Sequence, residues 1–196
     1  MKTYKNGFGV ECNGPIYHPD NERQETYKYL KDYLEKNKYL GNLLEVGCGD
    51  GYLSTILNKQ SYNYFGVTLR NAEVKWGNEK QINIKVGDIL ALPHTDNEFD
   101  IVLSVKTIEY VSTQDQAIQE LCRVSKNFVV IIYDCYPNLQ SNVGTDYYNI
   151  LTEFGVTKLL EINDFKTIHK ERLEQEKNRC GHVLFIAEKN KKWLKT

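Results

Sequence analysis

The stretch Leu43-Leu44-Glu45-Val46-Gly47-Cys48-Gly49-Asp50-Gly51 constrains this chain more than any other: an apolar run closes on an acid and three glycines spaced two apart. It reads as a buried strand that turns sharply into a helix, with backbone in place of side chain where a ligand must come close. Glycine suits such a turn because it reaches positive φ at little cost and has no Cβ to hold a ligand away. The next helix, Tyr52 to Lys59, would open with N–H groups that favour an anionic or electron-rich group. The spacing G-x-G-x-G is not the dinucleotide fingerprint G-x-G-x-x-G. A tight turn that binds nothing is the plainer reading, but three glycines each cost conformational entropy that a purely structural turn seldom needs.

Beyond residue 40, short apolar runs alternate with amphipathic segments, the order of a βαβ protein. The sequence predicts strands over Asn42–Val46, Tyr62–Val67, Ile82–Val86, Asp100–Val105, Phe128–Tyr133, Phe165–His169 and His182–Glu188. Helices are expected over Asn21–Asn37, where Tyr27, Leu30, Tyr33 and Leu34 recur at helical spacing, over Asn71–Lys80, and over Gln114–Ser125, with the stripe Ala117, Ile118, Leu121 and Val124. One or two more precede Leu160, after a tyrosine-rich loop over Asp134–Tyr148. Residues 1–40 read as an N-terminal arm and helix covering the active site, and residues 41–196 as the ligand-binding core, in one domain overall.

Composition narrows the partners. A chain of 196 residues can bury a substantial core without staples. Its 25 Lys+Arg against 26 Asp+Glu advertise neither a nucleic-acid nor an anionic-membrane partner. Five cysteines, an odd count without metal-ligand spacing, point to reduced thiols and a cytoplasmic location, with no metal expected. No run approaches the ~18 apolar residues of a membrane span.

Glu45 with Gly47, Gly49 and Gly51 resembles the first motif of the class I S-adenosylmethionine (SAM)-dependent methyltransferases, E/D-x-G-x-G-x-G. The resemblance covers residues 40–188 and implies an α/β, doubly wound, mostly parallel seven-stranded sheet. Its last strand would run antiparallel beside the fifth, with helices on both faces. It implies SAM as cofactor and S-adenosylhomocysteine as product, with Glu45, Gly47, Cys48, Gly49 and Gly51 at the cofactor turn. Where the family usually ends its second strand in a ribose-binding acid, Gly66-Val67-Thr68-Leu69-Arg70 places Thr68. A similar G-x-T-L-S segment followed by Gln occurs in the cyclopropane fatty-acid synthase and tocopherol-methyltransferase branches, where the threonine and the Gln serve the ribose. Counting from Thr68, that downstream position is Glu73. Thr68, Leu69 and Glu73 are therefore expected at the ribose, although Thr68 also reads as a plain strand end and Glu73 as an exposed helix residue.

Gly87-Asp88-Ile89 matches the place where the family's acid accepts from the adenine amino group and the next residue packs on the ring. Leu92-Pro93-His94-Thr95-Asp96-Asn97-Glu98-Phe99-Asp100 resembles the family's L-P-F-x-D-x-x-F-D approach to the fourth strand. Ser104 to Val111 then aligns with S-x-x-x-L-E-H, with Tyr110 in place of the frequent His. By that alignment Val105 lies at the methionine end of SAM, and Lys106, Glu109 and Tyr110 are candidates to contact acceptor or methionine moiety. For Glu109, bracing the sheet end is an equal alternative.

No N-P-P-Y-type tetrad follows the fourth strand, which argues against nucleic-acid or protein nitrogen as acceptor and favours a small molecule. Tyr17, His18, Tyr133, Tyr136, Tyr147 and Tyr148 would wall its pocket, unless they are ordinary surface and core tyrosines. Two other functions use the same features. A non-catalytic SAM-binding protein would keep the turn without an acceptor pocket; a nicotinamide-dependent oxidoreductase would need the G-x-G-x-x-G and terminal acid that are missing here.

Overall fold

Successive strand residues face opposite ways, so a strand with apolar residues at adjacent positions must be covered on both sides. Leu43 and Leu44 meet that condition: each is fully buried, in a different core. The computed structural model describes residues 19, 21–134, 152–173 and 182–190. Over them the elements run α1 (Asn21–Lys36), β1 (Gly41–Val46), α2 (Tyr52–Ile56), β2 (Tyr62–Thr68), α3 (Asn71–Glu79), β3 (Ile84–Val86), β4 (Phe99–Val105), a 3-10 turn (Ile108–Tyr110), α4 (Gln114–Val124), β5 (Ser125–Asp134), α5 (Glu153–Ile162), β6 (Phe165–Leu173) and β7 (His182–Lys189). The strands form one seven-stranded sheet in the order β3-β2-β1-β4-β5-β7-β6. All neighbours are parallel except β7, which runs antiparallel between β5 and β6.

Helices cover both faces. On one, Tyr27, Leu30 and Leu34 of α1 and Leu53 of α2 pack on Leu43, Ile101, Leu103, Val105, Val130 and Ile132. On the other, Ala117, Ile118, Leu121 and Val124 of α4 with Val156 and Leu160 of α5 pack on Leu44, Val102, Val129, Ile131 and Phe185. The helical stripes read from the sequence are thus the buried faces. The chain leaves β1 in one direction for β2 and reaches β4 on its other side, which opens a crevice at the carboxyl ends of β1 and β4.

Local chemistry moved several boundaries. α2 ends at Ile56 rather than running to Lys59, because Asn58 closes a turn there, its side chain accepting from the Gln60 N–H at 3.0 Å and its carbonyl from those of Ser61 and Tyr62. The third strand begins at Ile84 rather than Ile82. Ile82 instead completes the end of α3, donating its N–H to the Gly77 carbonyl at 2.8 Å while Gln81 takes a left-handed φ of 58°. That is a Schellman closure with glutamine in the usual glycine place. β5 starts at Ser125, directly after α4, where Ser125 pairs with Phe99.

Candidate functional site

The turn after β1 is built on three left-handed glycines, with φ of 79° at Gly47, 55° at Gly49 and 75° at Gly51. Two of them are demanded by the protein's own packing. A Cβ on Gly47 would stand 2.2 Å from Thr107 Oγ1, and one on Gly51 would stand 2.9 Å from Ile82. The turn is pinned to β2 by the N–H groups of Gly47 and Cys48, both donating to the Val67 carbonyl at 2.8 and 3.1 Å. Among the described residues the Gly49 N–H meets no acceptor. Cys48 turns its thiol inward, against Gly66, where burial raises its pKa, and donates it to the Gly49 carbonyl at 3.6 Å.

One strand over, Thr68 ends β2. Its hydroxyl donates to the Glu73 carboxylate and accepts from the Arg70 N–H at 3.2 Å. Arg70 adds a bond at 3.2 Å to the other Glu73 oxygen. Glu73 is 2% exposed, not the solvated helix position that one reading of the sequence allowed. A carboxylate offers about four lone-pair sites, and this one is held at the end of β2 by Thr68 and Arg70. Leu69 lies half-buried between them.

Gly87 carries the chain from β3 towards the same end of the sheet, its N–H bonded to the Thr68 carbonyl at 2.9 Å. Asp88 follows, half-buried, one oxygen accepting from the Leu90 N–H at 2.9 Å. Ile89 is buried with Leu92 and Phe99 in the α4-side core. Arg123 of α4 fixes this segment by bonding the carbonyls of Leu92 and His94 and the carboxylates of Asp96 and Glu120; Glu120 accepts from the Leu92 N–H in return.

Past β4, Lys106 is a non-glycine residue at φ 49°, its N–H bonded to the Ile132 carbonyl at 2.7 Å. Such a conformation costs of order 1–3 kcal/mol and gathers at functional sites. It turns the chain so that Thr107 meets Gly47. Val105 and Glu109 are buried, and Tyr110 is 39% exposed. Tyr133 is buried and stacked on Phe185 at 5.9 Å, in the α4-side core. Tyr17, His18, Tyr136, Tyr147 and Tyr148 lie outside the described residues. Glu45, Gly47, Gly49, Gly51, Thr68, Glu73, Asp88 and Lys106 thus gather at the carboxyl ends of four adjacent strands.

Glu45 has a more particular setting than its motif suggests. It is 0% exposed, and its two oxygens accept from the hydroxyls of Tyr27 on α1 and Tyr64 on β2, each at 2.6 Å. Burial pushes its pKa up to about 7, opposed by those two hydrogen bonds. Between about 4.5 and 7 the folded state holds a proton that the unfolded chain has released, so stability falls as pH rises through that window. Relative to Glu45→Gln, which does not titrate, the wild type is expected to lose about 3 kcal/mol between about pH 4.5 and pH 7.5. Denaturant unfolding of the two proteins at both pH values measures this. Parallel pH curves would mean that Glu45 titrates as an ordinary carboxylate.

Comparison with known proteins agrees with this geometry. Residues 44–132 match a family model described as a methyltransferase domain. The chain is 34% identical over 110 residues to norajmaline N-methyltransferase of Rauvolfia serpentina, covering 52% of this chain and 38% of that one. It is 31% identical over 144 residues to a probable chloroplastic tocopherol O-methyltransferase of Oryza sativa subsp. japonica, covering 66% and 39%. It thus spans about two fifths of the length of these relatives. Among solved structures, magnesium protoporphyrin IX methyltransferase of Synechocystis PCC 6803 with bound SAH superposes with a TM-score of 0.71 over 90% of each chain at 15% identity, a likeness of fold.

Proposed function

We propose that this chain, whose residues 44–132 match a methyltransferase domain, is a class I SAM-dependent methyltransferase that transfers the methyl group of SAM to a small-molecule acceptor. The observation that carries the reading is the left-handed glycine turn after β1 with the Thr68–Glu73 pair beside it. SAM, when bound, would supply an electrophilic methyl: the acceptor's lone pair would form the new bond to it as the methyl–sulfur bond breaks and S-adenosylhomocysteine leaves. The backbone of Gly47 to Gly51 admits the cofactor closely, and the Gly49 N–H serves as a donor to it. Glu73 accepts from the ribose hydroxyls while Thr68 and Arg70 hold its carboxylate still. Asp88 accepts from the adenine amino group with the oxygen that Leu90 does not use.

Methyl displacement needs the acceptor about 3 Å from the methyl, so positioning and exclusion of water supply much of the rate. Lys106 and the exposed Tyr110, on the strained segment after β4, face the acceptor; the buried Glu109 holds that segment. Helix α1 covers the site, and the reaction takes place in the cytoplasm. In support of that location, both described cysteines are free, buried thiols.

Two tests address the chemistry. Glu73→Ala is expected to weaken SAM binding by about 1–3 kcal/mol, roughly 5- to 100-fold, because the ribose hydroxyls lose a buried charged acceptor. Glu73→Gln keeps an acceptor oxygen and most of the affinity. A Glu73→Ala isotherm that overlays the wild type would remove Glu73 from the ribose site. Incubation with methyl-labelled SAM and a panel of small-molecule amines, phenols and quinols should then label at least one acceptor. Labelling confined to nucleic acid or protein would contradict the acceptor class.

A further inference from the structure

Tyr27 touches the cofactor turn on both sides. Its hydroxyl donates to Glu45, two residues before Gly47, and its ring lies 5.9 Å from that of Tyr52, the residue directly after Gly51. One side chain of α1 therefore clamps both ends of a turn whose own conformation is held by glycine. Tyr64 supplies the second donor to Glu45 from β2, so the carboxylate cannot rotate without breaking a 2.6 Å bond. Two O–H donors, one on each oxygen, suit the ionised carboxylate: an acid that kept its proton would leave one hydroxyl to accept rather than donate.

We propose that Tyr27 and Tyr64 are positioning residues that hold Glu45 as the counter-charge to bound SAM, so that docking of α1 and binding of the cofactor strengthen each other. The inference rests on the methyltransferase reading. Its physical basis is linkage. SAM carries a sulfonium and an ammonium, and a cation placed beside the glycine turn favours the ionised form of Glu45. The ionised form is in turn the one that grips both tyrosines, which are charge-assisted donors to it. By reciprocity, whatever α1 contributes to SAM affinity, SAM contributes to the docking of α1.

Few charged groups compete for this role. Facing Glu45 are Tyr27 and Arg23 from α1, Tyr64 from β2, and Cys48 and Asp50 from the turn itself. On the neighbouring strands its register partners are Gly66 and Leu103, which do not titrate. Asp50 opposes ionisation of Glu45 and Arg23 favours it.

The test is SAM affinity against pH by calorimetry, on wild type, Tyr27→Phe and Tyr64→Phe, with Tyr62→Phe as control. Phenylalanine keeps the ring and removes only the donor. Tyr62 is a tyrosine of the same core whose hydroxyl has no hydrogen-bond partner among the described residues. Wild type should bind SAM more tightly as pH rises through neutrality and should release protons to the buffer on binding. Tyr27→Phe should bind about tenfold more weakly than wild type near pH 8 and within about threefold near pH 6, where Glu45 is protonated in both. Tyr64→Phe should shift the profile the same way, which keeps the inference testable if one variant folds poorly, and Tyr62→Phe should leave it in place. Wild-type binding with the same pH profile in both Phe variants overturns the inference and spares the methyltransferase reading. Failure of the wild type to bind SAM at any pH overturns both.

Discussion

Gly47→Ala is expected to cost about 4 kcal/mol of stability, a large share of what a domain of this size possesses. Two penalties add. A non-glycine residue at φ 79° carries strain of order 1–3 kcal/mol. The new Cβ would also lie 2.2 Å from Oγ1, 2.5 Å from Cγ2 and 2.8 Å from Cβ of Thr107, an overpacking of another 1–3 kcal/mol or so. Thr107 cannot withdraw freely, because its hydroxyl is bonded to the Val105 carbonyl at 3.1 Å. Adding Thr107→Ala removes two of the three clashing atoms, so the double variant should recover about 1 kcal/mol or more as a coupling energy. Denaturant unfolding of the two single variants and the double variant measures it. A Gly47→Ala protein within about 1 kcal/mol of wild type would show that the junction between the first turn and the segment after β4 is slack.

Gly49→Val should act on binding rather than mainly on folding, and by a larger factor. Gly49 also has a left-handed φ, 55°, so valine carries some strain here too. Its N–H, though, meets no acceptor among the described residues, which sets it apart from Gly47, whose N–H is used by β2. A branched side chain at this point stands where the backbone must approach the cofactor, and loss of SAM affinity by at least about 100-fold is expected. Circular dichroism confirms that the variant is folded, and calorimetry reads the affinity. A folded Gly49→Val protein that binds SAM within about threefold of wild type would move the cofactor away from this turn.

What could be read from the sequence divides along a physical line. Strands β1, β4 and β5 were legible because continuous apolar runs have few ways to be buried, and α4 because its stripe repeats at helical spacing. The place of β7 between β5 and β6 came from the family likeness, since antiparallel insertion leaves no mark on periodicity. Boundaries set by single hydrogen bonds were not legible: nothing in Gln81-Ile82 announces a Schellman closure made with glutamine. Among site residues, Thr68 and Glu73 were brought together by the family likeness, whereas their bond to each other and the arrival of Arg70 on the same carboxylate were not legible.

The largest omission was the pair of tyrosines on Glu45. A signal existed. Tyr27 shares its helical face with Leu30 and Leu34, and a tyrosine buried on such a face needs a partner for its hydroxyl. Glu45 is the penultimate residue of a strand buried on both sides, where a carboxylate needs donors. Each residue states a need that the other fills, but only the fold brings residues 18 apart in sequence within 2.6 Å. Ile89 is expected on the adenine ring from its place after Asp88 and Tyr133 at the acceptor pocket from the tyrosine-rich segment, and in the fold both contribute to the α4-side core.

The central claim is that the carboxyl end of this sheet is a SAM site, and titration of SAM into the purified protein tests it most directly. The expected result is saturable one-to-one binding at about micromolar level, near −8 kcal/mol, competed by S-adenosylhomocysteine and unaffected by nicotinamide dinucleotides. No binding to a folded protein at millimolar SAM, or competition by NAD rather than by S-adenosylhomocysteine, would contradict it.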